Sequence, residues 1–197
     1  VHFRITAKAR NQEEAEEMIA PMLSEMQKRF GKAIYTMEEG VTLEDTIVDL
    51  LKQKHFTVTT AESCTAGKLA GRIMNVAGAS EVYNEGYITY ANAAKEKLLG
   101  VKHETLETFG AVSEETAREM ATGAAKEAGA DAALSVTGIA GPGGGTPEKP
   151  VGLVYIGCYV QGEVYVKKCQ FTGNRERNRD SSVVQALTFL REKLLDY

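Results

Sequence analysis

The chain has 197 residues, is 43% hydrophobic and carries a formal net charge of −4, enough apolar content for one good core with room for a small second unit. The acidic balance argues against nucleic-acid binding by bulk electrostatics, so any anionic ligand must be held by local groups. No apolar stretch approaches a membrane span and no basic-then-apolar leader opens the chain, so a cytoplasmic protein without a membrane partner is expected.

Residues Val1 to Ala9 alternate as a strand, and Asn11-Gln12-Glu13-Glu14 supplies a cap and an acidic first turn for a helix to about Arg29, stopped by Gly31. Pro21 should kink that helix or divide it. Lys32 to Met37 reads as another short strand, which makes residues 1–40 a small β-α-β piece, and the start at Val1 without methionine suggests a cut from something longer. Thr42 then caps a helix carrying Leu43, Ile47, Leu50 and Leu51 at helical spacing.

From there strands and helices alternate. Phe56 to Thr60 reads as a strand, Thr65 to Asn75 as a helix, Tyr87 to Tyr90 as a strand, and Asn92 to Leu99 as a helix capped by Asn92. Ser113 caps a further helix to Ala128, followed by the apolar strand Ala132 to Val136. Val151 to Val160 and Glu163 to Phe171 alternate about Gln161-Gly162 as a β-hairpin, and a last helix runs from about Arg175 to Leu195. The expected fold of residues 41–197 is α/β: a three-layer α/β/α sandwich with a mixed, mostly parallel sheet that includes the C-terminal hairpin.

Three elements could carry chemistry. In the first, the run Thr59 to Gly67 puts the Ser63 hydroxyl and the Cys64 thiol at a predicted helix start, where free N–H groups could hold an oxyanion. Ser63 taken alone reads first as a helix cap, and His2, His55 and His103 are placed for solvated or structural roles, which argues against a Ser-His-Asp triad. A buried lysine can replace histidine. Lys68 follows Ser63 by five residues and points elsewhere on the helix, whereas Lys95 falls at the sheet edge that Ser63 occupies, with Tyr90 ending the strand before it. Cys64 is the rival nucleophile.

In the second, Thr137-Gly138-Ile139-Ala140-Gly141-Pro142-Gly143-Gly144-Gly145-Thr146 follows a buried strand; it is a binding loop or a flexible connection, and neither a Walker loop nor a dinucleotide fingerprint. In the third, Arg175, Arg177 and Arg179 cluster where the last helix begins, unfavourably for its dipole, as a phosphate clamp or as a solvated helix start. Cys64, Cys158 and Cys169 form no metal-ligand pattern, so neither a metal nor a cofactor is expected, and a reducing compartment is the simplest reading.

Thr60-Ala61-Glu62-Ser63-Cys64-Thr65-Ala66-Gly67, Thr89-Tyr90-Ala91-Asn92 with Lys95, Gly110-Ala111-Val112-Ser113, Thr137-Gly138-Ile139-Ala140-Gly141-Pro142 and Lys149-Pro150-Val151-Gly152 stand in one order. Together these blocks resemble the CinA C-terminal domain family, the nicotinamide-nucleotide amidases. The piece before residue 40 resembles the tail of the family's KH-like middle domain, which implies an N-terminal domain absent from this sequence; a homodimer is the expected assembly. The resemblance implies hydrolysis of the carboxamide of nicotinamide mononucleotide, with Ser63 as nucleophile, Lys95 as base and Tyr90 as a proton-handling or orienting partner. Cys64, Thr65, Ala66 and Gly67 would line the oxyanion site, and Thr137, Gly138, Gly141 and Arg175 would hold ribose or phosphate. The alternatives are a non-catalytic nucleotide-binding module and a Cys64-dependent amidase.

Overall fold

The computed structural model describes residues 2–197, which divide into two compact units, one ending at Val41 and the other covering Thr42–Tyr197. In the first unit α1 (Gln12–Phe30) is capped by Asn11, whose side chain accepts the Glu14 N–H, and is closed by Gly31 at φ +46°. The expected break at Pro21 does not divide it: α1 is one element, because a proline removes a single N–H while the turns on either side keep theirs. The Phe3 and Phe30 rings stack at 5.2 Å.

Two expected strands of this unit are corrected. Residues 2–9 have no regular structure (Val1 lies outside the described residues), and the Lys32 to Met37 run opens on a short 3-10 turn, Gly31–Ala33, and then continues irregularly. An alternating sequence becomes a strand only when a neighbouring backbone takes its hydrogen bonds. No ladder among the described residues includes either run.

In the second unit Thr42 and Asp45 form a reciprocal capping box for α2 (Leu43–Lys54). β1 (Val58–Glu62), β2 (Gly86–Ile88), β3 (Ala132–Gly138), β4 (Leu153–Val160) and β5 (Glu163–Gln170) form one sheet in the order β2-β1-β3-β4-β5. The first three strands are mutually parallel, β4 runs against β3, and β5 returns antiparallel to β4, so four of the five share a direction. This is the expected mixed sheet with its C-terminal hairpin.

Helices cover both faces. α2, α3 (Lys68–Met74) and α7 (Arg175–Leu194) bury Ile47, Leu51, Leu69, Ile73, Leu187 and Leu190 against Leu134, Val136, Val154 and Ile156. Full burial of such a side chain contributes about 1.5–3 kcal/mol. On the opposite face α4 (Asn92–Leu99), α5 (His103–Phe109) and α6 (Glu114–Ala128) pack Leu99, Leu106 and Met120 on Ala61 and Ala133. Small residues let α6 lie close: Ser135 Oγ donates to the Ala117 carbonyl at 2.6 Å, and a Cβ on Gly157 would run into that same carbonyl.

Chain order creates the site. From β1 the chain moves to β2 on one side and then crosses to β3 on the other, so the central strand marks a topological switch point. The crevice at the carboxyl ends of strands flanking such a point is where open α/β sheets bind ligands.

Candidate active site

β1 ends at Glu62, in register with Ile88 of β2 and Val136 of β3. Ser63 extends the strand by one residue, its N–H donating to the Val136 carbonyl at 2.9 Å. Alternation along β1 places Ser63 on the same face as Ala61, which packs in the α4–α6 layer. α4 brings Lys95 to that face from the first turn after β2. Its N-cap is Ala91, one residue before the expected Asn92, and no side chain caps it.

Lys95 is fully buried. Its Nζ donates to the Thr89 carbonyl at 2.8 Å and to the Tyr90 carbonyl at 3.1 Å, and lies 3.4 Å from Ser63 Oγ. Burial pushes its pKa below the usual lysine value, opposed only by the neighbouring Cys64. A neutral amine has two N–H donors and one lone pair. With both donors spent on carbonyls, the lone pair is left for the Ser63 hydroxyl proton. The structure therefore brings Ser63 and Lys95 together as the sequence suggested.

Tyr90 is placed differently. It meets Lys95 through its backbone carbonyl, while its side chain is 66% exposed. Its phenol bonds neither Ser63 nor Lys95 among the described hydrogen bonds. Cys64 is buried, and burial pushes its thiol up to about 11. A neutral thiol is a poor nucleophile.

The segment after Ser63 is not the helix start that the sequence suggested. Residues 64–67 form a turn in which Ala66 has φ +49° and Gly67 has φ +87°, and α3 begins only at Lys68. The buried Glu62 carboxylate explains this: it accepts the N–H groups of Gly67 at 3.0 Å, Leu69 at 3.0 Å and Ala70 at 2.8 Å. The positive end of α3 is thus occupied by the chain's own carboxylate. The Gly67 N–H is therefore already bonded within the chain. The N–H groups of Thr65 and Ala66 have no protein acceptor among the described residues. Thr65 Oγ1 and Thr89 Oγ1 are buried without a partner among the described residues. Glu62 and Thr89 were not singled out from sequence; a carboxylate closing a strand before a small-residue turn was the available signal.

The glycine loop sits beside the turn. Thr137 is buried and donates its hydroxyl to the Ala111 carbonyl at 2.6 Å. Gly138 is required by packing, because a Cβ there would meet Val154 Cγ2 at 2.6 Å and the Leu153 carbonyl at 2.7 Å. Gly141, at φ +88°, offers its carbonyl to Arg175 Nη1 at 2.9 Å. Ala140, Pro142, Val151, Gly173, Asn174, Arg175 and Glu176 line an open cleft of about 590 Å³, whose walls do not include Ser63 or Lys95. The first turns of α7 link the cleft and the turn after Ser63: Asn178 donates to the Ala140 carbonyl at 3.0 Å, while Arg179 reaches the Cys64 and Thr65 carbonyls. The three arginines are therefore distinct, with Arg175 on the cleft, Arg179 on the turn and Arg177 beside a separate polar groove with Gln170 and Ser181. Among the described residues no group of His, Cys, Asp and Glu is arranged to hold a metal ion, and no helix is long and apolar enough to cross a membrane.

The profile of the CinA C-terminal domain matches residues 40–194. The chain belongs to the CinA C-terminal domain family. Residues 1–36 match the damage-inducible protein CinA KH domain. A CinA-like protein of Kosmotoga olearia is 56% identical over 195 residues, covering 99% of this chain and 47% of the relative. A putative competence-damage inducible protein of Clostridium perfringens is 55% identical over 194 residues, covering 98% of this chain and 47% of the relative. The chain thus spans about half the length of the curated relatives it matches. Among solved structures, the competence/damage inducible protein CihA of Agrobacterium tumefaciens is 44% identical with a TM-score of 0.75, covering 77% of this chain and 93% of that one. The competence damage-inducible protein A of Klebsiella pneumoniae is 37% identical with a TM-score of 0.77, covering 79% and 96% respectively. The two solved CinA-family structures share this fold over 77% and 79% of the chain.

Proposed function

We propose that this CinA-family chain is an amidohydrolase that converts nicotinamide mononucleotide to nicotinic acid mononucleotide and ammonia through a Ser63 acyl-enzyme. The observation that carries the reading is the buried Lys95 amine, its two donors held by carbonyls, 3.4 Å from the Ser63 hydroxyl. A separation of this length is ordinary before substrate tightens the contact.

In this reading Lys95 takes the proton of Ser63 as Oγ attacks the carboxamide carbon, and the carbonyl oxygen becomes an oxyanion. The free N–H groups of Thr65 and Ala66 supply donors for that charge, an arrangement worth several kcal/mol when preorganised. Lys95, now an ammonium, returns the proton to the departing nitrogen, the C–N bond breaks and ammonia leaves. Water then attacks the acyl-enzyme, giving its proton to Lys95, and Ser63 recovers a proton as the carboxylic acid is released. Arg175 and the glycine loop form the cleft for the phosphate end, and the exposed Tyr90 ring is taken as the orienting group that meets the substrate. The Cys64 route has less support, because its thiol stays protonated at neutral pH.

The test is ammonia release from nicotinamide mononucleotide, with free nicotinamide and the dinucleotide as comparisons. Loss of turnover in Ser63→Ala and in Lys95→Met is the expected outcome; a Ser63→Ala variant as active as the wild type would refute it. Failure on all three substrates would turn attention to a nucleotide-binding module without catalysis.

A further inference from the structure

Ser63 sits at the start of a turn that is held from two directions. Glu62 fixes its far end by taking three N–H groups at the start of α3. Its near end is fixed from the opposite end of the sequence: Arg179, on the second turn of α7, donates Nε to the Cys64 carbonyl at 2.9 Å and Nη2 to the Thr65 carbonyl at 2.7 Å. One planar group thus grips two successive carbonyls. A guanidinium can do this with its rigid fork, whereas an ammonium is a point donor without that geometry.

The consequence lies on the other side of those peptides. The plane that carries the Cys64 carbonyl also carries the Thr65 N–H, and the plane that carries the Thr65 carbonyl also carries the Ala66 N–H. Fixing the two oxygens therefore fixes the two N–H vectors, and these are the N–H groups left without a protein acceptor. Ala66 at φ +49° adds a reason for the grip, since a non-glycine residue in the left-handed region relaxes unless its surroundings hold it. Thr65 Oγ1, buried and unpartnered, belongs to the same turn.

We propose that Arg179 is a positioning residue for the reaction of Ser63: by clamping the Cys64 and Thr65 carbonyls it aims the Thr65 and Ala66 N–H groups at the developing oxyanion. This rests on the reading of Ser63 as an acylated nucleophile. Arg179 touches neither substrate nor the reacting atoms in this role, so its removal acts on kcat while leaving KM nearly unchanged. Misplacing oxyanion donors by about an ångström costs on the order of a hundredfold.

The experiment compares wild type, Arg179→Lys and Arg179→Met in two assays, steady-state hydrolysis of nicotinamide mononucleotide and the rate at which a fluorophosphonate probe labels Ser63, read by mass spectrometry. Thermal melting confirms that each variant folds. Arg179→Met is expected to lower kcat and labelling together by roughly ten- to a hundredfold, with KM within about twofold of wild type. Arg179→Lys should fall in between, and added methylguanidinium should restore part of the lost rate to Arg179→Met. Wild-type kcat and labelling in a folded Arg179→Met variant would overturn the proposal, as would a loss confined to KM. If the wild type is labelled at Ser63 but does not hydrolyse the mononucleotide, the substrate reading fails and the labelling rates alone decide the role of Arg179. If the wild type is not labelled at all, there is no nucleophile to position and the proposal falls.

Discussion

Lys95 Nζ donates to the Thr89 carbonyl at 2.8 Å, and that bond ties the amine to the residue that follows β2 and whose own N–H donates to the Glu62 carbonyl beside Ser63. A buried ammonium with no carboxylate among its hydrogen-bond partners is costly, which is why burial pushes this lysine downward. Because the proposed mechanism needs Lys95 as a neutral base, kcat/KM is expected to rise with pH through its folded pKa, at a pH below the ordinary lysine range. A rate profile from mildly acidic to alkaline pH reads it, and a flat profile would remove Lys95 from the role of base.

The same shift links to stability. Unfolding returns the amine to its ordinary, higher pKa, so between the two values the unfolded chain holds a proton that the folded chain has released. Stability should therefore rise with pH across that window, by at most about 1.4 kcal/mol per pH unit. Below the window both states are protonated and the full cost of the buried charge is present. Urea unfolding of wild type and Lys95→Met at several pH values separates this contribution, because only the wild type carries it.

Cys64 offers a contrast. Its thiol, pushed up to about 11 by burial, should react slowly with iodoacetamide at pH 8 in the folded protein. Cys64→Ala is expected to keep turnover within about tenfold of wild type and to lose on the order of 1 kcal/mol of stability from reduced packing. Complete inactivation of a folded Cys64→Ala variant would reopen the thiol mechanism.

Glu62→Gln tests the organisation of the turn. The carboxylate presents Oε2 to Gly67 and Leu69 and Oε1 to Ala70. An amide would set its NH2 group against at least one of these donors and leave a buried N–H unsatisfied. The expected loss is about 1–3 kcal/mol in urea unfolding, accompanied by slower turnover. Unchanged stability would mean that α3 can be capped in another way.

At Gly138 the requirement is for space. Gly138→Ala puts a methyl group 2.6 Å from Val154 Cγ2, so β3 and β4 must separate where the glycine loop begins. A destabilisation of about 1–3 kcal/mol is expected, measurable as a lowered melting temperature. An unaltered melt would show that the strands can part without penalty at that end of the ladder.

Much of the second unit was legible because its signals are local. Thr42 and Ser113 cap their helices as their types and spacing suggest, and the hairpin follows from two alternating runs about Gln161-Gly162. The short helix α5 and the late start of α3 were not legible in the same way. The start of α3 depends on where the Glu62 carboxylate folds, and residue preferences carry no record of that. The runs near the N-terminus alternate like strands yet pair with nothing described here, since a ladder is a property of two segments. At the site, the Ser63–Lys95 meeting followed from sheet-edge logic, but the exposure of the Tyr90 ring did not, because β2 ends at Ile88 and Tyr90 lies beyond it in the irregular link to α4 rather than closing the strand as expected.

The reach of α7 across the unit also bears on how the protein is made. Arg175, Asn178 and Arg179 tie the glycine loop and the nucleophile turn to the last helix, over separations of 34 to 115 residues. A ribosome releases Ser63 and Lys95 long before α7 emerges, and a chain halted at Phe171 would hold both groups without these struts. In the proposed reading such a chain carries a dormant serine until α7 has been made.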